Sequence, residues 1–459
     1  MHGLNIDDFG ARAGIERFEI ATQNANAFLA ALTAANASNT DRTIIFSEGK
    51  TYYMYAVNIT SMRDITIQVD GILRYSDEIK NYPTKNYGLM YFLDCEGIHL
   101  KGKGQIDGQG LNWWRYAYTG SDWRPDMISF RESRDLTVEG LYLYSSPKYS
   151  INFVDCADVV IHDVTIYINS TLARGRDKHN SVTYALNTDG IDLAVTNAHI
   201  YNNKITNYDD GIVAKPCKST GKYCQCSGNI LAENNEITYS TGLTIGSVPP
   251  NENVNCVRNV TFRNNIMHRP LKAIYIKPNP GTKGTGIIED IVYENIVIDH
   301  ALWWTIYIGP QQQNQPGGGA DGTGCNFLFP FIPVCPTQPL VTMNNIILRN
   351  ITATETLPLF EGPGVILCDA ANPCTNFVFE NVTNTMFTGS IQDIYDELPI
   401  FYIPGIVFPT PIRTDDWEFE YITSNVYGKV DENTFPVPCV DDSCFWVAPT
   451  KNDDDANRN

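Results

Sequence analysis

Basic residues are scarce in this chain of 459 residues: 33 Lys and Arg stand against 52 Asp and Glu, a formal net charge of −19. Such a surface repels phosphate, which argues against a nucleic-acid binder, and any polyanionic ligand would need a local basic patch inside an acidic body. No run of 18 apolar residues occurs, so no membrane-spanning helix is expected. The opening Met1-His2-Gly3 lacks a charged-then-apolar leader, so the chain is read as a mature form with an added start. Cys224-Gln225-Cys226 has no CxxC pair or His-rich stretch beside it, which disfavours zinc. No metal or cofactor is expected. Hydrophobic residues make up 43% of the chain, too many for disorder.

Cysteine, by contrast, is plentiful. Twelve are present, several in close neighbours: Cys217, Cys224 and Cys226; Cys325 and Cys335; Cys368 and Cys374; Cys439 and Cys444. An even number with short spacings indicates disulfides, with Cys368–Cys374 and Cys439–Cys444 the expected pairs. Glycosylation sequons at Asn36, Asn58, Asn169, Asn259, Asn350 and Asn381 point the same way, to a secreted protein.

One short pattern recurs. A polar residue, an alternating apolar run and then Asn or Gly appear in 134–141, 157–164, 258–266, 289–296, 344–351 and 375–382. The runs are β-branched with period 2, and starts lie 23 residues apart in the tightest case and about 30 elsewhere. Repeats made only of strand and turn imply a solenoid: stacked coils bury an aliphatic column, and bend asparagines bond from coil to coil. A propeller would need longer repeats of four strands each. The expectation is an all-β parallel β-helix of about ten coils in a single domain, residues 1–448. Residues 22–36 form the one clear helix and cap the open end. Residues 310–340 are a loop insertion, 449–459 a polar tail.

Asn187-Thr188-Asp189-Gly190 and Tyr208-Asp209-Asp210-Gly211 are about one coil apart. Residues one coil apart stack at the inter-strand spacing of about 4.8 Å, which puts Asp189 beside Asp209 and Asp210. Crowded carboxylates repel, so at least one holds its proton, and glycoside hydrolysis needs one protonated acid and one ionised base. Bend aspartates or a calcium site would show the same spacing.

These residues resemble glycoside hydrolase family 28, the polygalacturonase family, whose marks are Asn-Thr-Asp, Gly-Asp-Asp, Gly-His-Gly and Arg-Ile-Lys motifs. Here they stand as Asn187-Thr188-Asp189, Tyr208-Asp209-Asp210, Ser240-Thr241-Gly242 and Tyr275-Ile276-Lys277, in the family's order. Asp8-Phe9-Gly10-Ala11, Ile106-Asp107-Gly108-Gln109-Gly110, Trp113-Trp114 and Ser146-Pro147 add to the likeness, which runs from about residue 5 to 385. The resemblance implies a right-handed β-helix and an inverting hydrolase of pectic polysaccharide, active as a monomer. It casts Asp209 as general acid and gives Asp189 and Asp210 the attacking water. Asn187, Thr241, Tyr275, Lys277 and Trp304 would line the substrate, with Lys277 on a substrate carboxylate; Trp304 could equally be core filling.

Two departures bear on substrate. Thr241 replaces the motif histidine and can donate a hydrogen bond but carries no charge; Tyr275 replaces the motif arginine and could stack on a sugar ring but cannot grip a uronate. Rhamnogalacturonan hydrolases, members of the family this chain resembles, lack the same two residues. A rhamnogalacturonan or decorated pectin is therefore the alternative to plain polygalacturonate, with Tyr275→Arg expected to shift preference back. A pectin lyase-type eliminase and a non-catalytic carbohydrate-binding β-helix are the remaining alternatives.

Overall fold

A computed structural model describes residues 3–82, 87–117, 123–170, 185–313, 324–326, 329–330, 332–357, 362–388 and 419–444. It forms one continuous parallel sheet system of 30 strands wound into a right-handed β-helix. Each turn contributes to three faces in succession. Inside the first face a single column runs Ile44, Ile67, Leu100, Val138, Ile161, Ile200, Ala232, Phe262, Tyr293, Leu348 and Phe379, each paired in register with the next. Among the described residues the third face holds eleven strands, from Val57–Thr60 to Ile422–Ser424, in line with about ten coils.

The bends explain the asparagines. Asn202, Asn234, Asn264, Asn295, Asn350 and Asn381 all have φ between 52° and 57°, the left-handed region that Asn tolerates better than most side chains. The residue after three of these bends points inward and builds a ladder: Asn203 Nδ2 donates to Asn235 Oδ1 at 2.9 Å and Asn235 Nδ2 to Asn265 Oδ1 at 3.0 Å. Buried amides thereby find partners from coil to coil, as the repeat pattern predicts. Phe92, Phe130 and Phe153 stack in the same way, with centroids 4.4 and 5.1 Å apart.

The capping helix spans Phe18–Ala37, longer than 22–36 at both ends, and buries Phe28, Ala31, Leu32 and Ala35 against the first coils. A second helix, Gly110–Ala117, was not expected; it buries Trp113 and Trp114. The described parts of 310–340 contain no helix or named strand, and the tail 449–459 lies outside the described residues.

Five disulfides are present: Cys217–Cys224, Cys226–Cys256, Cys325–Cys335, Cys368–Cys374 and Cys439–Cys444. Cys95 and Cys156 are free and buried. Thiol titration of the denatured, unreduced protein should therefore find two thiols per chain; a value near twelve would show that the bridges do not form.

Candidate active site

The third face and the bends that lead into it carry the chemistry. Ile191 pairs with Ile212 and Leu243 with Ile274, and counting back two residues along each strand gives one row: Asp189, Asp210, Thr241, Lys272. Two small residues make this stacking possible. A side chain on Gly190 would meet the Gly211 carbonyl at 2.4 Å, and one on Gly211 would meet Ser240 Oγ at 2.7 Å. A second row, three residues on, runs Asn152, Asp192, Val213, Thr244, Tyr275 and Tyr307.

Asp189, Asp209 and Asp210 are brought together, with carboxylate oxygens of all three within 4.8 Å of one another. Their surroundings differ sharply. Asp210 accepts from Lys277 Nζ at both oxygens (3.0 and 2.8 Å), from Thr241 Oγ1 at 2.7 Å and from Thr244 Oγ1 at 3.1 Å. Burial opposes its charge, but Lys277 and Lys215 outweigh it and hold its pKa at about 2. Among the described residues, Asp209, next in the chain, receives only backbone donors: the Asn187 N–H at 3.2 Å and the Asp210 N–H at 2.9 Å. Burial, with Asp189 and Asp210 adding repulsion, pushes Asp209 up to about 7. Asp189 is raised well above the usual carboxylate range by burial and by Asp192 beside it.

Several site residues were missed in the sequence. Lys215 Nζ sits 3.4 Å from Asp189, 3.4 Å from Asp192 and 3.5 Å from Asp210. Burial works against its charge, yet the three carboxylates together raise its pKa well above the ordinary value. Asp192 is raised to about 6 by burial, with Asp210 and Asp126 adding to it and Lys215 opposing. Asp126, bonded by Asn152 Nδ2 at 2.7 Å, is raised by burial to about 6. Lys272 completes the set. The local basic patch that an acidic chain needs is thus Lys215, Lys272 and Lys277.

Three expected substrate contacts look different in place. Tyr275 is 4% exposed and offers no open face to a sugar: Lys272 Nζ lies 4.0 Å and Lys277 Nζ 4.6 Å from its ring centroid, and Tyr307 packs edge-on. Trp304 has no exposed surface and lies in a cluster with Trp303, Tyr307, Phe329 and Val365, which matches core filling, one of its two readings, and not the cleft aromatic. Asn187 turns its side-chain oxygen to Arg124 Nη2 at 3.0 Å. Thr241 donates its hydroxyl to Asp210 at 2.7 Å.

Gly246 gives Lys277 its path. The two are register partners, and a side chain on Gly246, whose φ is +113°, would come within 2.2 Å of the Lys277 carbonyl oxygen and 3.2 Å of its Cγ.

A stability profile follows from the raised carboxylates. Asp126, Asp192 and Asp209 keep their protons in the folded state up to about 6, 6 and 7, whereas in the unfolded chain they lose them near about 3.9. Their contribution is complete below the unfolded value and is lost as pH rises through the folded values; Asp210 contributes oppositely, losing its share only as pH falls towards about 2. The thermal midpoint should be highest near about pH 4 and fall towards pH 7, with Asp192→Asn flattening part of that slope. A midpoint that climbs across this window would contradict the assignment.

Fold and site together define a class, the parallel β-helix glycoside hydrolases. The chain belongs to glycosyl hydrolases family 28, whose model matches residues 40–396. It is 24% identical over 384 residues to the probable rhamnogalacturonase A of Aspergillus oryzae, covering 82% of this chain and 68% of that protein. It is equally 24% identical over 371 residues to exopolygalacturonase X of Aspergillus niger, covering 76% and 78%. With the probable rhamnogalacturonase B of Aspergillus fumigatus the identity is 23% over 396 residues, and the match spans 63% of that protein. Among solved structures, the endo-xylogalacturonan hydrolase from Aspergillus tubingensis shares the fold with a TM-score of 0.61 at 18% identity, covering 84% of this chain and 98% of that one.

Proposed function

We propose that this chain is a secreted hydrolase of the α-glycosidic bonds in galacturonate-containing pectin, with Asp209 as general acid. The observation that carries this reading is the contrast between two adjacent aspartates. Asp210 is clamped by Lys277 and two threonine hydroxyls and stays ionised, while Asp209 meets no cation directly among the described residues and keeps a proton near neutral pH. Carboxyl groups whose environments push their pKa values apart supply the acid and base of glycoside hydrolysis. Asp209 then protonates the leaving oxygen, Asp210 takes the proton of the attacking water, and Asp189 helps to hold that water. A uronate carboxylate drawing on Lys277 would loosen its hold on Asp210 and make Asp210 the better base.

Inversion at the anomeric carbon is part of the proposal and rests on the family resemblance. The carboxylate oxygens, within 4.8 Å of one another, are closer than the roughly 6.5–9.5 Å usual for the carboxyl pair of inverting enzymes. The anomeric outcome is therefore a direct test of this part of the proposal.

Rhamnogalacturonan or a modified pectin is the favoured substrate over plain polygalacturonate. Absence of the motif arginine and histidine supports this; ring stacking by Tyr275 does not, because its faces are covered. For the same reason Tyr275→Arg should not restore polygalacturonate cleavage, since it would set a third cation between Lys272 and Lys277. Mass-spectrometric product profiles on both polymers decide the matter: faster release from rhamnogalacturonan is expected. Rapid cleavage of polygalacturonate with rhamnogalacturonan untouched would make this a plain polygalacturonase.

A further inference from the structure

Among the described residues, Lys272 is the lysine of the site without a carboxylate partner. Lys277 is paired with Asp210, and Lys215 with Asp189, Asp192 and Asp210. Lys272 is 1% exposed and has instead three rings around its ammonium, at 4.0 Å from Tyr275, 4.4 Å from Trp303 and 4.0 Å from Tyr307. Its single hydrogen bond runs to Gln313 Oε1 at 3.0 Å. Burying an ammonium without a counter-ion is costly, and aromatic faces offset only part of that cost. A second deficit adjoins it: the Gln313 Nε2 amide is buried and has no acceptor. Among the described residues, then, two buried donors lack an anion; Lys272 lies in the row that begins with Asp189 and Asp210, one coil beyond Thr241, and Gln313 lies beside it.

We propose that Lys272, with the Gln313 amide beside it, binds the carboxylate of a uronate unit next to the scissile bond, as the specificity-determining cation in place of the missing motif arginine. This rests on the pectin-hydrolase reading and extends it. The rings hold the ammonium in place and exclude water, so an arriving carboxylate gains a charge-assisted hydrogen bond in a dry setting. Burial, and Lys277 nearby, press the lysine towards its neutral form, and Asp210 and Asp209 press the other way. A bound uronate would tip that balance to the charged form.

The test is calorimetric binding of a galacturonate oligomer and of its methyl ester to the Asp209→Asn protein, which does not turn them over. Adding Lys272→Met should weaken binding of the free acid about tenfold or more and leave the ester within about twofold. Gln313→Leu should weaken the acid by a smaller factor, and it provides the readout if Lys272→Met fails to fold. Equal losses on acid and ester, or no loss in either variant, would overturn the assignment of Lys272 while leaving the hydrolase reading intact. No binding of any uronate oligomer by the Asp209→Asn parent would sink both.

Discussion

Asp209→Asn is expected to lower turnover by about 10²–10⁴-fold, the usual contribution of a positioned general acid, without unfolding the protein. The amide has the carboxyl's shape but no acidic proton. Its structural cost should be small. One carboxylate oxygen accepts the Asn187 N–H and the other the Asp210 N–H, so an amide nitrogen would face one donor instead of an acceptor. Against that loss, the change removes a carboxyl from a crowded cluster. A role as acid also predicts a pattern across substrates. On a glycoside whose leaving group needs no protonation, such as an activated aryl galacturonide, the variant should recover most of the lost rate. The alkaline limb of the wild-type profile, expected near about 7 from Asp209, should vanish in the variant. Retained turnover on the polymer, or an equal loss on the activated glycoside, would remove Asp209 from this role.

Lys277→Met should be the most damaging single change to the site's integrity. Lys277 and Asp210 are nearly fully buried, and the ammonium bonds both carboxylate oxygens. Removing one partner of a buried pair costs roughly 3–5 kcal/mol because the other charge is left without compensation. Lys215, partly exposed and shared among three aspartates, can restore only some of it. Asp210 should then titrate well above its present value. The acid limb of the activity profile would move up in pH, and activity would fall even where the fold persists. Thermal unfolding together with a pH–rate profile checks both effects. A variant with wild-type stability and an unmoved acid limb would show that Lys277 does not hold Asp210.

Much of this architecture was legible in the chain itself. Period-2 runs ending in Asn specify strands and left-handed bends, and the short spacing from Asp189 to Asp210 specifies their stacking, because a solenoid turns one-coil separations into contacts. What escaped was the lysine framework. Asp192 lies at the buried start of the strand Ile191–Tyr201 and Lys215 just after the short strand Ile212–Ala214, where a charge between Ile191 and Leu193 or after Ala214 is a clue only once the register is known. Lys272 stands three residues before Tyr275, on the same strand, and its approach to Tyr307 and Trp303 depends on the next coil. The motif comparison pointed to a lost arginine; the fold shows a lysine one coil from Thr241 that no motif marks. Trp304 illustrates the converse. Its position left cleft and core equally open, and its place at the start of Trp304–Ile308 puts the indole in the buried cluster with Val365 and Phe329. The helix Gly110–Ala117 has only about two turns, too few for its apolar residues to mark a helical period in the chain.

The central claim is that the aspartate cluster hydrolyses a pectic glycosidic bond with inversion, using Asp209 as acid. Proton NMR of the first products formed from a pectic polymer tests it most directly. The account predicts saturated oligomers whose new reducing ends appear first in the anomeric configuration opposite to the bond cleaved, with no signal from Asp209→Asn. Unsaturated uronate ends would contradict it by showing elimination, and retained configuration would contradict the single-displacement roles given to Asp209 and Asp210.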